Sequence, residues 1–560
     1  MMEMQANQFE TEADRPLNNG AGLSLSRAGW LALGLVVIAA VLRLVGLSSR
    51  EIHPDEWYHV LAGASWAEGE GLTFIRGIYD RAWPFTISTA WAHSWLGLDG
   101  FIAARFPALV AGVVCVWLIY ILGKRTASPA VGLIAAALLT VDNMAIEWSQ
   151  ISRFYTMQTA CILGIACIFA GPSFGAPRAN LIRTAIAAVA ALALAVLALL
   201  LQVISILGIA GLILFLFTRT PYFSLEFART SSPERTLVGT ALVIGAVIGL
   251  AGASMMWPEL RATQAWSAQD ANNFLYYDDY LRAMYGVLWP LTPLAVLIGL
   301  SHSRKAVLLA LSVIVPVLLV QSIGGMKAPR YIMQCVPFII LLWAVGLRSG
   351  FLWLAGMIRD RVPFGNAGPG HWVSNGAALA VLAFALAGNL SFRESAKWAI
   401  RDGSATLAGK PIFSGEPLDP AMQAASQEAA TKLRIGESVL IASDPWIQAY
   451  YGQAGQFMLI NPLNDDDQPL NYERKTGQVR IGNAEELAIA LDCLPSADIL
   501  LQSKKAGTFY LPPETMAVIE TRAKPVAMDH SALRLYQWDR PVDQTDTDCT
   551  IVEAELAKQS

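Results

Sequence analysis

Long apolar runs alternate with short polar segments over roughly the first 390 residues of the chain. A helix needs about 20 apolar residues to cross a bilayer core, because it rises only about 1.5 Å per residue. Runs near that length are Ala28–Leu47, Ala104–Gly123, Ala130–Ala145, Met157–Ala170, Leu237–Met256, Ala306–Ile323, Tyr331–Leu347 and Val373–Leu390. The run Ala185–Phe217 is long enough for two helices turning near Leu201-Gln202, and Gly286–Leu300 is a weaker span containing two prolines. The pattern therefore predicts about eleven membrane crossings.

The pattern changes after this membrane part. Residues 391–560 are more polar and predict a small α/β domain, whereas residues 1–27 predict a disordered cytoplasmic leader. In the tail, short apolar stretches predict strands, and an amphipathic spacing predicts helices. The predicted strands are Ser438–Ala442, Gln456–Ile460, Ala497–Gln502 and Leu533–Trp538, the predicted helices are Pro445–Tyr451 and Ala484–Leu491, and Asn461–Gln478 is predicted to be a loop.

Composition supports lipid as the main solvent of this chain. It is 54% hydrophobic and 15% charged, and its mean hydropathy is +0.44. Soluble domains are usually about a quarter charged. The net charge of -4 and the absence of a basic block argue against a nucleic-acid partner. Four of the six cysteines lie in apolar runs, whereas Cys493 and Cys549 lie in the polar tail, where a disulfide is possible if the tail is exported.

The distribution of lysine and arginine predicts the orientation in the membrane. With the N-terminus inside, each cytoplasmic loop contains at least two positive residues, as the positive-inside rule requires. These residues are Lys124, Arg125, Arg178, Arg183, Arg219, Arg229, Arg235, Arg304, Lys305, Arg348, Arg359 and Arg361. The tail and three loops (48–103, 257–285 and 324–330) then lie outside, and we expect a multi-pass protein of a bacterial inner or plasma membrane.

An acidic pair follows the first span closely. Asp55 and Glu56 lie in the segment His53–His59, so they are expected near the outer membrane surface. Adjacent acids after a proline also commonly begin a helix, which is the structural alternative. An acid fixed at this surface could take a proton from an acceptor hydroxyl. The neighbouring rings could contact a sugar or a phosphate: His53, Tyr58 and His59.

Four cations also recur on the predicted outer side, namely Arg81, Arg153, Lys327 and Arg330. Any one of them could anchor a span end by reaching the lipid headgroups. All four lie near an aromatic residue or a proline, and together they could bind a phosphate.

Two further acids, Asp142 and Glu147, are predicted at the outer end of the third span. Acids at membrane depth are candidates for function. The alternative is that these two acids simply pair with Arg153.

The order of these features resembles the GT-C class of polyprenyl-phosphate-sugar glycosyltransferases. The likeness is strongest to the protein O-mannosyltransferase and lipid A aminoarabinose transferase group. It includes the acidic pair, a basic segment with a proline, and the Ala-Arg-Phe-Pro entry to the second span at 104–107. It covers roughly Ala28–Ala170 and returns at Lys327–Tyr331.

This resemblance implies roles for single residues. Asp55 matches the aspartate taken as catalytic base in that group, and Glu56 matches its acidic neighbour. The stretch 81–86 is similar to a Lys/His-Pro-Pro-Leu stretch and puts Arg81 near the lipid phosphate, although Ala-Trp stands where a proline is usual. Further matches to family positions are Arg153 with Tyr155, and Arg330 with Tyr331. The Trp-Trp-Asp motif of oligosaccharyltransferases is absent from the sequence, which argues against en bloc transfer to asparagine.

The expected function is transfer of one sugar, with inversion, from a polyprenyl monophosphate carrier to a hydroxyl of a glycan, lipid or protein acceptor. Fixed cations would hold the phosphate without requiring a metal, although the carboxylates could recruit a divalent one. Two other classes stay open. A transporter or flippase should place its charges at the membrane midplane, often in paired repeats. A membrane scaffold with an exported binding domain would leave the outer polar cluster without a purpose.

Overall fold

The computed structural model describes residues 26–48, 53, 55–98, 100–171, 181–219, 273–324, 327–361, 383, 386–407, 420–443, 449–450, 455–460, 470, 472–473, 476–503, 511–541 and 549–557. The helices up to residue 361 are α1 (Arg27–Leu44), α2 (Glu56–Ala67), α3 (Trp83–Leu96), α4 (Gly100–Thr126), α5 (Pro129–Thr140), α6 (Asn143–Ser149), α7 (Tyr155–Ala170), α8 (Leu181–Leu201), α9 (Ser205–Arg219), α10 (Tyr276–Met284), α11 (Thr292–His302), α12 (Arg304–Ile323) and α13 (Val336–Arg361). A 3₁₀ turn, Pro329–Cys335, leads directly into α13.

Five of the described helices are long and apolar enough to cross a membrane, namely α1, α4, α8, α12 and the unit formed by the 3₁₀ turn and α13. The bent pair α5–α6 would make a sixth span, and α7, α9 and α11 are shorter apolar helices. The chain is thus an integral, multi-pass membrane protein. The predicted span Leu237–Met256 lies outside the described residues, as does most of Val373–Leu390, so the total of eleven crossings stays a prediction.

The predicted turn near Leu201-Gln202 is present, because α8 ends at Leu201 and α9 begins at Ser205. The single span predicted over Ala130–Ala145 is wrong in detail. Helix α5 ends at Thr140, and α6 begins at Asn143 with a bend of 61°. The cause is Asp142, whose carboxylate accepts a hydrogen bond from the Ala145 amide at 2.8 Å and so starts a new helix.

Reciprocal hydrogen bonds join the end of α1 to this bend. The buried Arg43 guanidinium donates to the hydroxyl of Ser149 at 3.1 Å and to the carbonyl of Leu139 at 3.3 Å. In return, the side-chain Nε2 of Gln150 donates to the carbonyls of Arg43 and Val45 at 3.1 and 2.6 Å. A helix end leaves carbonyls without intrahelical partners, and these bonds satisfy them. These bonds therefore fix the end of α1 relative to the end of α6, and so also the starts of the two segments that follow these helices.

The tail contains a mixed seven-stranded sheet. Its strands are β3 (Val439–Ser443), β4 (Phe457–Leu459), β5 (Tyr472–Glu473), β6 (Gln478–Ile481), β7 (Ser496–Gln502), β8 (Lys524–Val526) and β9 (Leu533–Asp539). They lie in the order β5-β6-β4-β3-β7-β9-β8. Strands β6, β4, β3 and β7 run parallel to one another, and the pairs β5–β6, β7–β9 and β9–β8 are antiparallel. The helices of this region are α14 (Leu390–Leu407), α15 (Pro420–Lys432), α16 (Ala484–Cys493), α17 (Pro513–Arg522) and α18 (Thr550–Ala557).

The four strands predicted in the tail are present within a residue or two, and so is the helix α16. The loop predicted over Asn461–Gln478 is corrected in part, because its described end forms β5, which pairs with β6. The predicted helix Pro445–Tyr451 lies mostly outside the described residues. A disulfide joins Cys493, at the end of α16, to Cys549 next to α18.

Both faces of the sheet are covered. One face packs with α16 and α17 around Ile441 and Ile499. The opposite face presents Leu440 and Leu500 to the loop that follows α1, which is itself built from α2, α3 and the hairpin β1 (Thr73–Phe74) and β2 (Gly77–Ile78). Because side chains alternate between the faces of a strand, a sheet covered twice has the continuously buried strands seen in β3.

Candidate active site

Asp55 lies immediately before α2 and faces a cluster of cations. Its side chain makes no capping hydrogen bond to the helix, although it occupies the N-cap position. Its Oδ2 lies 3.4 Å from Nη2 of Arg153 and 3.8 Å from Nη2 of Arg330. The side chain is 29% exposed, so a ligand can reach it.

Opposing effects set the pKa of Asp55. Burial acts to raise the pKa, but Arg153, Arg330, His53 and Arg81 lower it, and the net result lies below the usual value for an aspartate. The carboxyl is therefore ionised at neutral pH, and it can accept a proton.

Glu56 has a different environment. It is fully buried, and Arg105 donates to both of its oxygens, from Nε to Oε2 at 2.7 Å and from Nη2 to Oε1 at 2.8 Å. The same oxygens accept the backbone N–H groups of His53 at 2.9 Å and of Ser152 at 2.7 Å. Glu56 thus connects His53, two residues before Asp55, to Ser152, directly before Arg153, and its lone pairs are occupied.

Arg105 was not singled out as a site residue from the sequence. It is fully buried in the first turns of α4, and its Nη1 also donates to the carbonyl of Leu47 at 2.7 Å. The signal was the Ala-Arg-Phe-Pro sequence at 104–107, which pointed to a family but not to a contact with Glu56.

Arg153 is almost completely buried, with 3% of its surface exposed. Its Nη1 donates to the carbonyl of Asp55 at 3.3 Å and to the hydroxyl of Tyr79 at 3.5 Å, and its guanidinium lies 4.9 Å from the ring centre of Phe154. Burial lowers the pKa of Arg153, but Asp55, Tyr79 and Tyr155 raise it above the usual value. The cation is therefore permanent, and Tyr155 begins the helix α7 beside it.

Arg81 completes the cluster from the side of the hairpin. It is exposed, and its guanidinium lies 5.8 Å from the ring centre of Phe154, the ring that Arg153 also contacts. The charge of Arg81 contributes to the lowered pKa of Asp55. The next residue, Ala82, has a φ of 53°, which turns the chain sharply into α3.

The rings of the first loop pack beside the cluster rather than away from it. Tyr58 stacks on Tyr79 at 4.9 Å, and His53 meets Trp148 edge-on at 5.7 Å. The pKa of His53 is lowered, first by burial and then, against the opposing effect of Asp55, by Arg330 and Arg153.

His59 is fully buried, and its Nδ1 lies 2.9 Å from the hydroxyl of Thr86. Burial, followed by the charges of Arg153 and Arg81, holds the pKa of His59 well below its usual value, so the ring is neutral. Its Nε2 has no hydrogen-bond partner among the described residues.

The segment 327–331 contributes unequally. Arg330 reaches Asp55, and Tyr331 lies beside Arg330, with 5.3 Å between the guanidinium and the ring centre. Lys327 instead donates to the carbonyls of Ser322 at 2.8 Å and Gly324 at 2.5 Å, where it neutralises the C-terminal end of α12.

Asp142 and Glu147 lie away from the described contacts of Asp55. Asp142 is fully buried, and its Oδ2 accepts hydrogen bonds from the hydroxyls of Tyr285 at 2.5 Å and Ser391 at 2.9 Å. The alternative that Asp142 pairs with Arg153 is not seen among the described contacts, where Asp142 bonds to Tyr285 and Ser391 instead. Glu147 lies near Tyr280. Burial raises the pKa of the Tyr280 hydroxyl most, and the charges of Asp142 and then Glu147 raise it further.

The charges of the site favour an anionic ligand. Three arginines surround one accessible carboxylate, because the charge of Glu56 is already balanced by Arg105. Within the described residues there is no group of three or more His, Cys, Asp or Glu side chains that could hold a metal ion.

Comparison of the whole chain with solved structures identifies the fold. The chain resembles ArnT from Cupriavidus metallidurans in the apo state, with a TM-score of 0.58 and 16% identity over 92% of this chain and 98% of that one. The chain has the fold of the GT-C glycosyltransferases. The same ArnT bound to undecaprenyl phosphate gives a TM-score of 0.57 at 15% identity, covering 93% of this chain and 100% of ArnT.

A second GT-C structure is similar over most of this chain. It is the archaeal oligosaccharyltransferase AglB from Archaeoglobus fulgidus, in complex with an inhibitory peptide and a dolichol-phosphate. The TM-score is 0.57 at 12% identity, over 93% of this chain and 76% of AglB. No protein-family model and no curated protein sequence matches the chain. The resemblance to GT-C enzymes inferred from a few sequence motifs is thus confirmed at the level of the fold.

Proposed function

We propose that the protein is a glycosyltransferase that moves one sugar from a polyprenyl monophosphate carrier to an acceptor hydroxyl. The observation that carries this proposal is the ionised, partly exposed Asp55 at the centre of three arginines. A single base surrounded by cations fits a reaction in which an acceptor loses a proton while a phosphate departs. The GT-C fold and the undecaprenyl phosphate and dolichol-phosphate in two similar structures support a lipid-linked donor.

In the proposed mechanism, Asp55 takes the proton of the acceptor hydroxyl as the oxygen attacks the anomeric carbon. The bond from that carbon to the phosphate oxygen breaks, and the phosphate leaves on its lipid. One displacement inverts the configuration at the anomeric carbon. General base catalysis of this kind typically contributes about 10²–10⁴-fold to the rate.

The three arginines, Arg81, Arg153 and Arg330, would stabilise the charge that gathers on the departing phosphate. Donors that are already oriented need no rearrangement during the reaction, and such electrostatic stabilisation is usually the largest contribution. Arg153 is the best oriented of the three, because Asp55, Tyr79 and the ring of Phe154 fix its guanidinium. A bound phosphate would also offset the cations around Asp55 and thereby make it a stronger base in the complex.

Glu56 would act as a positioning residue and not as a second base. It is fully buried, and Arg105 and two backbone N–H groups occupy its oxygens. Lys327 would act on the loop by capping α12, whereas Arg330 and Tyr331 would meet the donor.

We place the site and the tail on the extracytoplasmic side. The abundance of lysine and arginine in the opposite loops supports this orientation. The Cys493–Cys549 disulfide supports it independently, because disulfides persist in oxidising compartments. The acceptor would then be a glycan, lipid or protein outside the cytoplasm, and the donor would come from the outer leaflet of the membrane.

The test is turnover of radiolabelled polyprenyl-phosphate sugars by the reconstituted protein and by Asp55→Asn. We expect Asp55→Asn to lower kcat by about 10²–10⁴-fold. The matched control is Asp279→Asn, which alters an exposed acid on α10 and should leave turnover unchanged. Equal rates for Asp55→Asn and wild type would show that the base is assigned wrongly. Label that crosses the bilayer without donor consumption would instead indicate a transporter.

A further inference from the structure

Two residues of the candidate active site follow a very small hairpin. Strands β1 and β2 contain two residues each, and Tyr79 and Arg81 lie one and three residues after the end of β2. An isolated two-stranded hairpin is marginal in water even when it is longer. The position of Tyr79 and Arg81 therefore depends on what packs against this hairpin.

The tip of the hairpin contacts the tail sheet. The N–H of Arg76 donates to the carbonyl of Thr476 at 3.0 Å. The backbone of Gly477 then lies against the peptide between Arg76 and Gly77. A Cβ at position 477 would lie 2.6 Å from the carbonyl oxygen of Arg76 and 2.7 Å from the nitrogen of Gly77, closer than real Cβ atoms approach other atoms. Only glycine fits this contact without displacing the hairpin.

The tail holds the same loop at a second point. Trp57, two residues after Asp55, has its ring 4.8 Å from Phe101 and 5.0 Å from Tyr450 of the tail. Trp57 is 3% exposed and belongs to the apolar cluster that continues into Leu440 of the sheet. The start of α2 and the hairpin beyond its end therefore both rest on the sheet.

We propose that the tail sheet is a positioning element of the active site and that Gly477 is its most sensitive residue. By holding Arg76, the turn at 476–477 fixes Tyr79 3.5 Å from Arg153 and places Arg81 over the same Phe154 ring. This inference rests on the proposed function, because the position of Arg81 matters for turnover only if Arg81 contacts the donor phosphate.

The test compares Gly477→Ala with Gly436→Ala in the full-length protein. Both glycines have a positive φ, +67° and +80°, so alanine strains the backbone at both positions. At Gly436, however, a Cβ would have no described atom within 4 Å. The difference between the two variants therefore isolates the contact with the hairpin.

Two measurements are made well below the unfolding temperature. Hydrogen exchange should quicken at the Arg76 amide in Gly477→Ala and stay slow in Gly436→Ala. The kcat/KM for a radiolabelled polyprenyl-phosphate sugar should fall about 10–100-fold in Gly477→Ala, because small displacements of positioned groups have effects of this size. A merely structural role would leave kcat and KM per folded molecule unchanged.

Fast exchange at Arg76 with normal kcat and KM would overturn the proposal, and so would unchanged exchange in Gly477→Ala. If wild type consumes no donor, the proposed function fails, and the dissociation constant for undecaprenyl phosphate replaces turnover as the second measurement. Equal constants for the two alanine variants would then overturn the positioning role. Should Gly477→Ala not fold, Tyr450→Leu removes the ring that lies against Trp57 at the other point of contact. A lower kcat/KM in folded Tyr450→Leu would then support the positioning role, and unchanged kcat and KM would overturn it.

Discussion

The buried pair of Glu56 and Arg105 allows the sharpest prediction about this fold. Glu56→Gln keeps the shape of the side chain but removes its charge and turns one acceptor oxygen into a donor. The four hydrogen bonds that Glu56 accepts, from Arg105 twice and from the amides of His53 and Ser152, measure 2.7–2.9 Å. Glutamine cannot accept all four, and the buried Arg105 guanidinium loses its ion pair with the Glu56 carboxylate.

Removing one partner of a buried ion pair typically destabilises a protein by about 3–5 kcal/mol, because the remaining charge has no compensation. Both side chains here have 0% exposure, so solvent does not reduce the penalty. We therefore expect Glu56→Gln to lower the free energy of unfolding by about this amount. It should also lower kcat, since the His53 and Ser152 amides precede Asp55 and Arg153.

The assay is denaturant unfolding in detergent, together with kcat measured on the folded fraction. The matched control is Glu394→Gln, which removes an exposed acid whose ion pair among the described residues is with Lys397, three residues away. Combining Glu56→Gln with Arg105→Met should recover part of the lost stability, because the buried cation that lost the Glu56 carboxylate is then also removed. Wild-type stability in Glu56→Gln would refute the structural role. Normal stability with lost turnover would instead make Glu56 a direct participant in catalysis.

Three further predictions concern Asp55, Gln150 and the disulfide of the tail. Because the arginines hold the pKa of Asp55 below the usual value despite its burial, stability from this group is present above the unfolded pKa and is lost as pH falls through the folded one. The pH profile of kcat/KM reports the free enzyme, and its acid limb should accordingly lie at a pH below the ordinary pKa range of an aspartate. Arg330→Met should shift this limb to higher pH. An acid limb at unchanged pH would exclude Asp55 as the base. Gln150→Leu removes the donor to the carbonyls of Arg43 and Val45 at the end of α1 and should lower the free energy of unfolding by about 1–3 kcal/mol. Its loss of kcat should exceed that of the control Gln158→Leu, which breaks a bond to Ser205 on α9. Equal losses of kcat would show that the bonds of Gln150 do not position the site. Cys549→Ser should destabilise the tail by about 2–4 kcal/mol, and a reducing agent should have the same effect on the wild type. Cys115→Ser, which removes a free thiol, should not destabilise the tail in this way. A tail whose stability does not change on reduction would argue against the disulfide.

Several properties of this protein could be predicted from the sequence because they depend on short stretches of chain. The length of an apolar run determines whether a helix can cross a bilayer, so most described spans appear near their predicted positions. Short apolar stretches likewise located β3, β4, β7 and β9 within a residue or two. The sequence predicts that Asp55 and four cations, Arg81, Arg153, Lys327 and Arg330, share one side of the membrane. The structure brings Arg153 and Arg330 to Asp55.

Other properties depend on which residues meet across long distances in the chain, and only the tertiary structure decided them. Nothing local to Glu56 distinguishes it from Asp55, yet packing against Arg105, 49 residues away, buries one acid while its neighbour stays accessible. Lys327 and Asp142 are charged residue types like those of the site, but both bind to the ends of nearby helices. Lys327 donates to a carbonyl at the end of α12, and Asp142 accepts from an amide at the start of α6. The sheet edge at Gly477 meets the hairpin 400 residues earlier because shape, rather than any local pattern, determines that contact. A charged residue near a membrane surface is a candidate from sequence, and its partners in the folded chain determine whether its charge is free to act.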